Sequence, residues 1–274
     1  LHDRKLRVGD VVMMAVPLAA RGGSPEQGAS GDATILHETE TVVVANKRAS
    51  VPCSDRSKPA RSVLGQVQAQ RPDTELRLVH SLDREASGCV VLAKGLPAHR
   101  HFEQELRAGR ITETYVALVT GVPARDEQQI DAWLGPDRKR PGMVATSDRD
   151  RSGFREAHTL AITRQRFGRH ALLELRPSTH RGHQLRVHVA SIGHAIVGDD
   201  DYGGERLLLS RLKADYKMRP GVVERPLLQR MFLHAERVAL VDVDGNHVVA
   251  DAPMPDELAV ALRHVEKHTS TRRT

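Results

Sequence analysis

The sequence predicts an α+β fold built around a mixed sheet. Runs rich in Val and Leu outnumber segments with helical periodicity, and the two kinds do not alternate one for one as a doubly wound chain requires. In chain order, TVVVANK (41–47) reads as a buried strand, RLVH (77–80) and CVVLAK (89–94) as two more, and TYVALVTG (114–121) and HALLELRP (170–177) as half-buried strands. Pro97 stands at a first-turn position ahead of Phe102 and Leu106 at i, i+4 spacing, which predicts a helix. Residues 183–192 predict another, with Leu185, Val189 and Ile192 on one face, His183 and Arg186 on a different one, and Gly193 as its stop. PDELAVALRHVEKH (255–268) repeats the helical spacing with Leu258, Leu262 and Val265. Residues 136–153, PDRKRPGMVATSDRDRSG, read as one exposed charged loop within the domain, and no internal repeat is present.

Composition bounds the partners. A chain of 274 residues buries a sizeable core in one large domain or two small ones. Its 41 basic residues against 35 acidic ones, a formal +6, favour a polyanionic partner. Eight of the basic residues are lysine and 33 arginine, which suits bidentate phosphate contacts, although a GC-rich genome raises arginine without any functional cause. Cys53 and Cys89 are too few to staple a fold of this size and predict reduced thiols in an intracellular protein. The apolar run VVMMAVPLAA (11–20) is shorter than the roughly 20 residues that span a bilayer, and Asp10 and Pro17 interrupt its likeness to a secretory segment. Because the chain opens on Leu1, the expectation is a trimmed N-terminus with something upstream missing. RGGSPEQGASGDAT (21–34) reads as a linker, so residues 1–34 are expected to be an N-terminal tail and linker, 35–268 the main domain and 269–274 a tail.

Two constellations carry candidate chemistry. In HSLDREASGCVVLAK (80–94), Asp83 lies in a polar bend just ahead of an apolar run; taken alone it reads as a structural turn aspartate. His180, His183, His188 and His194, followed by Asp199, Asp200 and Asp201, suggest a metal-dependent hydrolase by residue type, but their spacing fits no metal-ligand template, and the aspartate triplet reads as a solvated turn before Tyr202 and Gly203. NKRAS and GPDRKR read either as phosphate contacts or as solvated faces.

The segment 80–94 resembles the H-R-L-D-R-x-T-S-G signature of the RluA-type RNA pseudouridine synthases, with its apolar strand and A-K behind it. Four further segments resemble that family in order: ILHETETVVVANKRASVP (35–52) its first strand and N-K-P-x-G turn, TETYVALVTG (112–121) its K-x-Y-x-A-x-V-x-G strand, HRGHQLRVHVASIGHAIVGDDDYGG (180–204) its G-R-T-H-Q-I-R-V-H motif, and RMFLHAERVAL with APMPDEL its L-H-A strand and closing helix. The resemblance covers roughly residues 35 to 263. It implies the pseudouridine synthase fold, a mixed, largely antiparallel sheet with flanking helices and an active cleft, and makes 35–268 the catalytic domain. It also implies an isomerase that breaks the C1'–N1 bond of a uridine, turns the base and rejoins it through C5, needing no metal and no cofactor. Asp83 is then the carboxylate acting on the ribose, as nucleophile at C1' or base at C2', and Arg186 the cation expected to lower its pKa by about 1–3 units. Tyr115 is expected to stack on the base and take part in proton transfer, and Arg84, Arg181, His183, Gln184 and Leu233 to contact substrate. The implied partner is RNA, ribosomal RNA or a pre-ribosomal particle above all, met by a monomer in a cytoplasm or mitochondrial matrix and not at a membrane. KLRVGDVVMMAVP (5–17) resembles the tail of an S4-type RNA-binding module, a remnant of which is expected in 1–34.

The chain departs from the family pattern at Ser81, where arginine is usual, at Glu113, where lysine is usual, at Arg48 for proline, and at His180 and Gly182 around Arg181. Ser81 and Glu113 favour the competing expectation, a non-catalytic RNA-binding ribosome-assembly factor that keeps the fold as a clamp, while Asp83, Tyr115 and Arg186, all retained, oppose it.

Overall fold

A computed structural model describes residues 33–213, 215–217, 221 and 223–270. The expected S4-like remnant, all but the last two residues of the 21–34 linker, and residues 271–274 of the expected tail lie outside them. The described residues build one sheet from β1 (Thr34–Glu38), β2 (Val42–Lys47), β3 (Leu76–Leu78), β4 (Ser87–Lys94), β5 (Thr112–Thr120), β6 (Glu127–Pro136), β7 (Val144–Ser147), β8 (Arg155–Phe167), β9 (His170–Pro177), β10 (Leu233–Val241) and β11 (His247–Asp251). The strands run in the order β1-β2-β4-β10-β5-β9-β8-β6-β7, with β3 added on β4 and β11 on β10. Every pairing is antiparallel except β4 with β10, so the sheet is mixed and largely antiparallel as expected. The helices are α1 (Val63–Gln70), α2 (Gly95–Arg107), α3 (Gln184–Ser191), α4 (Leu209–Leu212) and α5 (Asp256–Ser270), and none of those described is long and apolar enough to cross a membrane.

β2 and β4 read as unbroken apolar runs because both of their faces are covered. Val42, Val44, Val91 and Ala93 point to the side where α2 buries Ala98 and Phe102, while Val43, Ala45 and Leu92 point to the side where α1 buries Val63 and Val67. The largest cluster lies over the middle of the sheet, where Val116 to Val119 of β5 join Leu172, Leu173 and Leu175 of β9 and Leu258, Ala261 and Val265 of α5.

Two expectations about local structure are corrected. The charged loop expected at 136–153 contains β7, which pairs with β6 from Trp133↔Ser147 to Pro136↔Val144; the short run Val144 to Ser147 gains its order from the neighbouring strand, not from its own composition. α3 is not amphipathic: Gln184 through Val189 are all buried, because Leu185 and Val189 face the main core while Val187 meets Leu134 and Ala157 of β6 and β8. Arg186 and His188 are therefore interior polar groups that require partners.

β4 and β10 approach most closely at Gly88, which pairs with Ala235 and has φ +116°, a value side-chain-bearing residues rarely adopt. A Cβ there would lie 2.1 Å from the carbonyl oxygen of Ala235. Gly88→Ala is thus expected to destabilise the fold by about 2–5 kcal/mol, from backbone strain and overpacking together, as a lowered midpoint in urea denaturation followed by circular dichroism.

Candidate active site

A cavity of about 270 Å³ opens between the bend ahead of β4, the middle of β5 and the loop from Pro177 to His183 that leads into α3. Asp83, Tyr115 and Leu233 all line it. The fold thus brings together residues that stand 32 and 118 positions apart in the chain.

Asp83 sits in a tight turn closed by the Ala86 N–H on its carbonyl, 3.0 Å. Beneath this turn lies Lys47, the last residue of β2, with no exposed surface. Its Nζ donates to the carbonyls of Arg48, Arg84 and Ala86 at 3.2, 2.9 and 2.6 Å. The ammonium spends all three donors on backbone, two of them on the carbonyls of Arg84 and Ala86 just after Asp83, which ties the bend to the sheet. Cys53 adds a second tie, since its thiol accepts the Leu82 N–H at 3.2 Å. The reading of NKRAS as a phosphate contact or a solvated face is corrected at Lys47, which is buried with its donors committed to backbone; the signal was a lysine ending an otherwise apolar strand.

Arg186 was expected to hold Asp83 ionised and lower its pKa, and here the structure corrects the reading. Arg186 Nη1 lies 3.9 Å from Asp83, whereas its other nitrogens grip Asp199 in a bidentate pair, 2.7 Å each, and Asp201 at 2.6 Å. Burial raises the Asp83 pKa above the usual carboxylate value, and the attraction of His183 and Arg186 does not offset it. One guanidinium shared among three carboxylates supplies only part of its charge to each. The aspartate triplet, expected as a solvated turn, is corrected too: Asp199 is buried as the main partner of Arg186, and only Asp200 and Asp201 are exposed. Tyr202 completes the group, its ring 4.9 Å from the Arg186 guanidinium.

His183 precedes α3 in a left-handed conformation, φ 53°, which swings its ring towards Asp83. The Tyr202 hydroxyl accepts the Val144 N–H at 2.9 Å and lies 2.8 Å from His183 Nδ1. With the hydroxyl proton given to Nδ1, Nε2 carries the imidazole hydrogen and faces Asp83 Oδ1 at 3.8 Å.

Tyr115 is 6% exposed and directs its hydroxyl away from Asp83, to Glu113 at 2.9 Å. Burial, and after it the Glu113 carboxylate, pushes the phenol well above its ordinary pKa. Leu233 presents its side chain to the cavity from the start of β10. Of the expected substrate contacts, Arg181 and His183 lie on the cavity wall. Gln184 also reaches the wall, but its amide is committed to Thr179, Thr159 and the His158 carbonyl, which makes it a brace between α3 and β8. Arg84 is exposed, off the wall, and donates to the Ser50 carbonyl.

The histidines of the metal-site alternative disperse. His188 turns to Thr159 and His194 to the Thr120 carbonyl, while His180 contacts Glu113; no group of three or more His, Cys, Asp or Glu able to hold a metal occurs among the described residues.

Residues 41–191 match the RNA pseudouridylate synthase family model. The chain is 29% identical over 234 residues to the uncharacterized RNA pseudouridine synthase YhcT of Bacillus subtilis, covering 83% of this chain and 70% of that one. It is 34% identical over 220 residues to an uncharacterized RNA pseudouridine synthase of Chloroflexus aurantiacus, covering 77% and 62%. With the ribosomal large subunit pseudouridine synthase C of Haemophilus influenzae it shares 30% identity over 242 residues, covering 85% and 70%. Among solved structures it resembles human RNA Pseudouridylate Synthase Domain Containing 4, TM-score 0.64 at 22% identity, covering 85% of this chain and 93% of that one.

Burial lowers the Lys47 pKa from the ordinary 10.5 to about 8. Between those values the unfolded chain binds a proton that the folded one has released, so stability rises with pH. The wild type is expected to gain about 3 kcal/mol over Lys47→Met between pH 8 and pH 10.5, as read by chemical denaturation at a series of pH values.

Proposed function

The chain belongs to the RNA pseudouridylate synthase family, and from that premise we propose that it isomerises particular uridines of ribosomal RNA through Asp83. The observation that carries the reading is the placement of a half-buried carboxylate, an aromatic ring and an apolar side chain around one cavity, with no other acid on its wall.

On this reading a flipped-out nucleotide enters the cavity with its ribose towards Asp83 and its base between Tyr115 and Leu233. Asp83 acts at C1' as nucleophile or at C2' as base, and the C1'–N1 bond breaks without net hydrolysis. The walls then hold the detached ring while it turns and presents C5 to C1'. His183 and Arg186 face Asp83 from one side and aim it without pairing tightly, which leaves its oxygens available to the sugar. Arg181, on the wall, meets a backbone phosphate. The net charge of +6 and the likeness to proteins named for the ribosomal large subunit support ribosomal RNA or a pre-ribosomal particle as the partner, met by a monomer inside the cell.

Asp83→Asn is expected to lower tritium release from 5-tritiated uridine in RNA by at least about 10³-fold, and in cells to remove pseudouridine at the same few positions as a deletion. If the map in Asp83→Asn cells is unchanged and only deletion harms ribosomes, the chain is a clamp and not a working synthase. The raised Asp83 pKa places the acid limb of the rate profile above the ordinary carboxylate range, with activity rising as Asp83 ionises. Asp199→Asn removes a negative charge that helps to raise it, so the limb is expected to move to lower pH in a single-turnover pH series.

A further inference from the structure

Glu113 and Tyr115 are two residues apart on β5 and therefore face the same side of the sheet. Tyr115 lines the cavity; Glu113, 1% exposed, lies behind it. Three groups converge on this carboxylate. The Tyr115 hydroxyl donates to Oε1 at 2.9 Å, His80 Nδ1 lies 3.0 Å from the same oxygen, and His180 Nε2 contacts Oε2. The role of His80 is set by its other nitrogen: Nε2 accepts the Val91 N–H at 3.1 Å, so Nδ1 carries the ring hydrogen and lies close to Glu113 without the geometry of a hydrogen bond. His180 comes from the opposite wall of the cavity and keeps 22% of its side chain exposed.

The two positions in contact here, 113 and 180, are both departures from the family pattern, where a lysine and a glycine are usual. Replacement of only one would fail physically. A histidine at 180 opposite a lysine would lose its acceptor, and a glutamate at 113 without His180 buries a carboxylate with one fewer donor. Burial works against ionised Glu113, but the two imidazoles and the Tyr115 hydroxyl outweigh it and hold the carboxyl at about 2, so it is ionised at rest.

Resting on the synthase reading, we propose that Tyr115 and Glu113 act in this chain as a single acceptor for the C5 proton, with Glu113 a positioning residue, held by His80 and His180, that takes the Tyr115 proton only in passing. Once C5 has joined C1', it carries both the sugar carbon and its hydrogen, and the ring holds a C6=N1 double bond. The Tyr115 oxygen takes the C5 proton as its own proton passes to Glu113 Oε1. The C5–H electron pair becomes the C5=C6 double bond, and the C6=N1 π pair moves to N1, which takes a proton from water. The proton on Glu113 returns at once through Tyr115 to the hydroxide so formed, before product leaves, and no proton is gained or lost overall. A phenol whose pKa is raised by burial and by Glu113 is not available as phenolate, so it can accept a proton only by giving up its own.

The test compares RNA carrying 5-protio or 5-deuterio uridine in single turnovers of wild type, Glu113→Gln, His180→Gln and the double variant. The glutamine at 113 still accepts a hydrogen bond from Tyr115 but cannot take its proton. Its single-turnover rate is expected to fall by about 10²-fold or more, with KM within about twofold of wild type. Its C5-deuterium isotope effect is expected to exceed that of wild type, a change that general loosening of the site would not produce. His180→Gln is expected to show the same signature more weakly, and the double variant to be no slower than Glu113→Gln alone. If Glu113→Gln does not fold, His180→Gln decides: an enlarged isotope effect supports the proposal and an unchanged one overturns it. Variants that keep the wild-type rate, or lose rate with no change in isotope effect, overturn the proposal alone. A wild type that converts no uridine overturns the synthase reading and this proposal with it.

Discussion

The contact on which the site depends is the buried ammonium of Lys47 beneath the Asp83 turn. Two of its three carbonyl partners belong to the turn just after the aspartate, so the backbone there cannot shift without breaking a charge-assisted hydrogen bond. The strand that carries Lys47 is itself pinned to β4, whose first residues pair with β10 at the one parallel contact of the sheet. Asp83, Lys47 and Leu233 thus hang on three adjacent strands, and the precision of the turn derives from their hydrogen-bonded pairing.

Two carboxylates near Tyr115, half-buried Asp83 and buried Glu113, have opposite electrostatics. Around Asp83, dehydration wins because the nearby guanidinium is divided among three acids. Around Glu113, hydrogen donors win because two imidazoles and a phenol converge on it. Such divergence between like groups is how a protein gives two acids different tasks within a small volume.

The fold was legible where burial is two-sided or periodicity is strong: β2, β4, β5, β9, α2 and α5 all coincide with apolar runs or i, i+4 spacing. β7 was not legible, because its order comes from pairing with β6, and α1 was not because VLGQVQAQ carries only two buried residues. The motifs led to Asp83, Tyr115, Leu233 and His183, which do share a cavity. The division of Arg186 among Asp83, Asp199 and Asp201 was not visible, because linear order gives no sign that a polar run after a helix will fold back beneath it. Glu113 and His180 could be seen as oddities in the sequence, but 67 residues separate them and only their meeting in space gives the pair a meaning.

His183 holds its ring against Asp83 only because its backbone adopts the left-handed region, which a side-chain-bearing residue enters at a penalty of about 1–2 kcal/mol. Glycine would relieve that strain and remove the imidazole in the same step. On the proposed role of His183, stability and function therefore pull this position in opposite directions, and the bend into α3 becomes a gauge of selection. A lineage that has given up the reaction is free to drift to glycine or asparagine here and become more robust, whereas one that still depends on it keeps a histidine in a posture that histidine does not favour.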